Sequence, residues 1–189
     1  VRKIVDEELK LAQAYIGEAA KQALLSFCKR SRCGSVVVSR NGVISGWGYN
    51  SPPGKFKPEN EATPRCLCNK ESYHKKVTDK TCCVHAEERA IINAISNISA
   101  LQSVEKPIIW TTYYFGLPSS FQDELDKIYF TRINDNNEPI PSGKPYCTIC
   151  SKLALDVGIK EFVLVHEDGV YAYSAEEYNE LSYSYKEEQ

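Results

Sequence analysis

His85 and Glu87 stand two residues apart in the run Cys82-Cys83-Val84-His85-Ala86-Glu87-Glu88. Far downstream, Pro145-Tyr146-Cys147-Thr148-Ile149-Cys150 supplies a Cys-x-x-Cys pair. One imidazole and two thiolates are three ligands for a tetrahedral Zn²⁺ whose fourth position is left for water. Zinc held by three protein ligands lowers the pKa of that water towards neutrality. Glu87 is close enough in sequence to reach the water and not the metal, so its predicted part is proton transfer. Either half alone says less. Cys-x-x-Cys by itself also fits a structural zinc or a redox dithiol, and His-Ala-Glu fits an ordinary helix start. Both halves in this order are far more restrictive, with a purely structural zinc site as the main competing reading.

The order His-x-Glu followed by Cys-x-x-Cys resembles the motif pair of the zinc-dependent cytidine and deoxycytidylate deaminases, and the cysteine-rich layout is closest to deoxycytidylate deaminase. The resemblance implies an α/β, three-layer cytidine deaminase-like fold with a mixed five-stranded sheet and helices on both faces. It implies hydrolytic deamination of a cytosine nucleotide or nucleoside to the uracil product and ammonia. His85, Cys147 and Cys150 would hold the metal, and Glu87 would shuttle protons from water to the ring nitrogen and the departing ammonia. Gly48-Tyr49-Asn50 resembles the family's strand-end Gly-x-Asn, so Asn50 would bind the sugar hydroxyl. The alternative is that Asn50 starts the turn into Ser51-Pro52-Pro53, a common use of Asn. Ala86 would offer its backbone N–H to the base carbonyl. Family members assemble as homo-oligomers, and the same is expected here.

Two departures stand out. Tyr146 separates Pro145 from Cys147, where the family pattern places Pro directly before the first Cys. The stretch from Glu87 to Cys147 is also longer than one helix and one strand need, which points to insertions at 99–126 and 134–144 near the mouth of the site. Some deoxycytidylate deaminases carry an extra structural zinc. On that pattern Cys28, Cys66, His74 and Cys83 are the implied ligands, with Cys68 and Cys82 as substitutes. The segment 51–80 has few apolar residues, and a closed four-ligand zinc contributes folding energy directly. Buried or unpaired thiols are the plainer reading. Arg30, Arg32, Lys55, Arg65, Arg89 and Arg132 are the candidate phosphate contacts, each of which alone reads more simply as a solvated charge.

The elements that must position these residues follow from periodicity. Leu9, Ala12, Ile16, Ala19, Ala23 and Phe27 recur at helical spacing. Two apolar runs around Asn41-Gly42 predict a hairpin. A second helix starts near Val84, with Ala90, Ile91, Ala94, Ile95 and Ile98 on its buried face, so His85 and Glu87 fall in its first turn, where the helix dipole favours an anion. Residues 128–133 read as a strand and 107–112 as a competing one. A helix over 147–157 leads by a crossover into the strand at 161–165, which implies parallel neighbours. Asp168-Gly169 turns into a last strand, and a short helix covers 174–181.

The chain has 189 residues, enough for one domain with a full core. The net charge of −2 lacks the basic excess of an extended nucleic-acid surface, so a small nucleoside or nucleotide is the expected partner and nucleic acid is not. No apolar run is long enough to span a membrane. Eight cysteines grouped around a His-Ala-Glu motif read as reduced metal ligands in the cytoplasm. The competing functions are deamination of another base, free or in RNA, and a zinc-stabilised binding module without catalysis.

Overall fold

The computed structural model describes residues 1–54, 66, 82–102 and 125–184. Among the described residues, seven strands form one sheet: β1 (Arg2–Lys3), β2 (Arg32–Ser39), β3 (Ile44–Tyr49), β4 (Leu125–Ile133), β5 (Pro139–Ile140), β6 (Glu161–His166) and β7 (Gly169–Ser174). The order is β1-β7-β6-β4-β2-β3, with β5 on β4. This corrects the expected count of five. Five strands have six or more residues, and the other two are two-residue ribbons too short to show a period. The sheet is mixed as expected: β4 and β6 run parallel, and the other pairs are antiparallel.

The four helices among the described residues are α1 (Asp6–Ala23), α2 (Ala86–Gln102), α3 (Thr148–Asp156) and α4 (Ala175–Ser184). They divide between the faces because successive strand residues point to opposite sides. Val36, Val38, Tyr129, Val163 and Ala172 meet Ala12, Ile16 and Ala19 of α1. Val37, Ile128, Phe130, Phe162 and Leu164 meet Ala90, Ile91 and Ala94 of α2 and the buried faces of α3 and α4. Strands buried on both faces read as continuous apolar runs, which is how Val36-Val37-Val38 and Phe162-Val163-Leu164 appear. The α1 stripe is buried at Ala12, Ile16, Ala19 and Ala23, but the helix ends at Ala23 and Phe27 lies beyond it, largely exposed.

Gly42 takes φ +76° in the β2–β3 turn, as Asn-Gly predicts. The strand at 125–133 occupies the centre of the sheet, between β2 and β6. Its competitor at 107–112 lies outside the described residues, as does most of the expected insertion at 99–126. The segment 134–144, expected to be an insertion, contains a small hairpin: Asn137 turns at φ 66°, and β5 pairs back on Arg132 and Ile133. The crossover through α3 joins parallel β4 and β6, as anticipated. No described helix is long and apolar enough to cross a membrane.

Candidate active site

Both motifs expected to supply metal ligands sit at helix starts. α2 begins at Ala86, directly after His85, and the Glu88 carboxylate accepts the His85 backbone N–H at 2.9 Å. That reach from the third helical residue back to the cap is half of a capping box, and it fixes the turn carrying His85 and Glu87. A carboxylate three residues after His85 is a signal of this turn that the sequence itself carries. Cys147 caps α3, its Sγ accepting the Cys150 N–H at 3.2 Å. β3 draws the start of α2 against the sheet: a Cβ at Gly48 would stand 2.1 Å from the Ala86 carbonyl oxygen, and one at Gly46 would stand 2.2 Å from that of Ala90. Only glycine permits that approach.

The three residues predicted to hold zinc are brought together. His85 Nδ1 lies 3.2 Å from Cys147 Sγ and 3.2 Å from Cys150 Sγ, and the three donor atoms lie within 4.8 Å of one another. Zn–N and Zn–S bonds of ordinary length in a tetrahedron separate N from S by about 3.5 Å. The donor set therefore fits zinc with a spread of a few tenths of an ångström. Both cysteines are buried. A hydrogen bond from the Cys150 side chain, with the neighbouring His85, holds the Cys147 thiol down at about 5. Burial pushes the Cys150 thiol well above its ordinary value. Burial opposes charge on His85, but the hydrogen bond and charge of Cys147 outweigh it and raise the imidazole to about 9.

Glu87 is 5% exposed and lines a cavity of about 250 Å³ together with His85 and Ala86. Burial, and then the charge of Cys147, push its carboxyl up to about 7. Arg132, Tyr146 and Phe130 line the same cavity. Asn50 lines it too, yet its amide is engaged within the protein. Oδ1 accepts from the Cys33 N–H at 2.8 Å and the Ser26 hydroxyl at 2.6 Å, while Nδ2 donates to the Ser31 carbonyl at 2.8 Å.

Cys28, Cys66 and Cys83 form a second cluster with sulfur atoms within 4.8 Å of one another. Cys82 Sγ lies 3.6 Å from that of Cys66 and 3.8 Å from that of Cys83. His74 and Cys68 lie outside the described residues. Of the candidate phosphate contacts, Arg30 and Arg132 line the cavity. Arg32 instead bonds Asn137 and the Asn134 carbonyl, holding the 134–138 turn. Arg89 caps the Ser51 and Pro52 carbonyls. Lys55 and Arg65 lie outside the described residues. Arg132 of β4 bonds the Tyr146 hydroxyl just before α3, a pairing of residues 14 apart that only the fold reveals.

No family model matches the chain, and no curated protein matches it. Solved structures do. The dCMP deaminase of cyanophage S-TIM5 in apo form is 21% identical over 84% of this chain and 82% of that one, with TM-score 0.45. The same enzyme in complex with dCMP and dUMP is 23% identical over 84% and 82%, with TM-score 0.46. The cytidine deaminase of Burkholderia pseudomallei is 18% identical over 88% and 94%, with TM-score 0.46. Among solved structures, then, what this chain is similar to includes deaminases of the cytidine and deoxycytidylate type.

Proposed function

We propose that this protein is a zinc-dependent hydrolase that deaminates a cytosine nucleoside or nucleotide to the uracil product and ammonia. The observation that carries the reading is a buried carboxylate, Glu87, sharing one cavity wall with His85, on which the Cys147 and Cys150 donors converge. Zn²⁺ on those three residues supplies a nucleophile from water near neutral pH. Glu87 takes one proton from the attacking water and returns it to the ring nitrogen as oxygen adds to the amino-bearing carbon. It then passes the second proton to the departing amino group, so that water and cytosine become uracil and ammonia. A carboxyl raised to about 7 can both take and give a proton at neutral pH. The Ala86 N–H, at the free start of α2, is the donor for the base carbonyl. With one Asn50 amide hydrogen committed to Ser31, the other is what Asn50 has to offer a sugar hydroxyl.

Cys28, Cys66, His74 and Cys83 are the proposed ligands of a second, structural zinc, with Cys68 and Cys82 as substitutes. We take the chain as one cytidine deaminase-like domain acting as a homo-oligomer in the cytoplasm. The test is ammonia release from free and phosphorylated cytosine, adenine and guanine compounds by metal-loaded protein and by Glu87→Gln. A cytosine compound is the expected substrate. Glu87→Gln should retain metal and fold and lose on the order of 10²–10⁴ in turnover. Near-normal turnover in the metal-loaded variant removes Glu87 from the mechanism.

A further inference from the structure

Between β4 and α3 the chain folds back on itself before it reaches Cys147, and that return forms a wall of the cavity. β5 pairs with the end of β4, Ile140 opposite Arg132 and Pro139 opposite Ile133. The turn between them closes on itself. The Asn134 N–H donates to the Glu138 carbonyl at 3.0 Å, and the Asn134 side-chain oxygen accepts the Glu138 N–H at 2.9 Å. Two further anchors fix the hairpin to the sheet. Arg32 on β2 donates from Nη1 to Asn137 Oδ1 at 2.9 Å and from Nη2 to the Asn134 carbonyl at 2.5 Å. Ser142, 2% exposed, donates its N–H to the Val165 carbonyl of β6 at 2.7 Å. Ile140 lies between those anchors and lines the cavity together with Phe130 and Glu87. A β-branched side chain has few rotamers, and on a strand held at both ends it has little room to yield. The cavity is about 250 Å³, at the small end of ligand pockets, so one bulky wall residue decides what fits.

We propose that the β4–β5 hairpin is a size-selecting wall: Ile140 sets how much bulk the substrate's base can carry, and Arg32 is the positioning residue that holds it there. Arg32 itself does not line the cavity. The identity of the base rests on the deaminase reading, the size limit on the cavity. In a cytosine ring C5 is bonded to the amino-bearing carbon. A wall that closes on the reacting carbon beside Glu87 therefore also meets whatever C5 carries. The site takes the unsubstituted ring and rejects one bearing a 5-methyl group.

The test is calorimetry on metal-loaded protein with deoxyuridine and thymidine, which differ by that one methyl group and, as deamination products, do not turn over. Wild type should bind deoxyuridine about tenfold or more tightly than thymidine, the discrimination an apolar wall gives against one added carbon. Ile140→Ala should bring the ratio close to one, and Ile140→Val, the milder change if Ala does not fold, should bring it part of the way. Arg32→Gln should lower the ratio by loosening the hairpin, and Arg32→Lys should recover part of it. A contact that served stability alone would leave the ratio of the folded protein unmoved. A wild-type ratio near one, binding of neither ligand, or an unchanged ratio in folded Ile140→Ala overturns the proposal. An unchanged ratio in Arg32→Gln alone removes Arg32 from it. Ammonia release with equal kcat/KM from cytosine and 5-methylcytosine nucleosides overturns the size limit and leaves the deaminase reading intact. The expected ratios, with no ammonia from any cytosine compound, overturn the deaminase reading alone.

Discussion

Asn50 joins four parts of the chain through one amide. It accepts from Ser26 and Cys33 and donates to Ser31, so the segment leaving α1 is held against the end of β3 beside the cavity. Its buried polar atoms are costly to leave unmet, at about 1–3 kcal/mol for each orphaned group. Asn50→Ala should therefore lower stability by roughly 1–3 kcal/mol in urea unfolding. Asn50→Asp should be no milder, because a carboxylate cannot donate to the Ser31 carbonyl. An Asn50→Ala protein as stable as wild type would show that the amide network contributes nothing. The turn-starting reading and the sugar-binding reading both placed this residue correctly at the end of β3. Neither could see that its partners come from the α1–β2 connection and the start of β2, which are remote in sequence.

The start of α2 is positioned by packing, and small residues make that packing possible. Ala86, Ala90 and Ala94 lie against Gly46 and Gly48, while Asn93 and Asn97 side chains cover the backbone of β3 at Trp47 and Ser45. An edge strand is thereby closed by a helix. Gly48→Ala would drive a methyl group into the Ala86 carbonyl, and overpacking of this kind costs about 1–3 kcal/mol. Because Ala86 lies between His85 and Glu87, the same change should weaken zinc retention against a chelator. Gly17→Ala is the contrasting case, since nothing lies within 4 Å of its position inside α1. It should raise stability by about 0.5–1 kcal/mol. Thermal unfolding of the two variants checks both signs, and equal effects would refute the close approach of α2.

The N-terminal strand is tied to the rest of the molecule by charge. Arg2 pairs with Glu8 at 2.6 Å and with Glu161 at 3.2 Å, and Lys127 reaches both carboxylates. The network links β1 to α1, β4 and β6. The hydrogen bond from Arg2, and then from Lys127, hold Glu8 down at about 2 against an ordinary 4.5. A depressed carboxyl pKa stabilises the fold above about 4.5, and the contribution is lost as pH falls towards 2. Glu8 is 38% exposed, so solvent screening reduces each pair to a few tenths of a kcal/mol. Urea unfolding between pH 6 and 3 should show wild type losing its advantage over Glu8→Gln as pH falls, and losing it at any pH in high salt. An advantage that is independent of pH would refute the linkage.

By itself the sequence determined most of the elements and marked His85, Glu87, Cys147 and Cys150 as residues that could share one site. His85, Glu87, Cys147 and Cys150 were legible because ligand type and short spacing are local properties. The helices, the Asn-Gly hairpin and the parallel β4–β6 pair were legible because periodicity and crossover length are local too. The tertiary structure alone decided that residues 125–133 form the central strand and that two further short strands join the sheet. It also decided that Asn50 is spent largely on the protein's own backbone, and that Arg132 meets Tyr146 beside Glu87. Each of those outcomes depends on which distant segments share a wall. Burial, hydrogen-bond satisfaction and the pairing of charges are properties of that shared wall, and no window of the chain contains them.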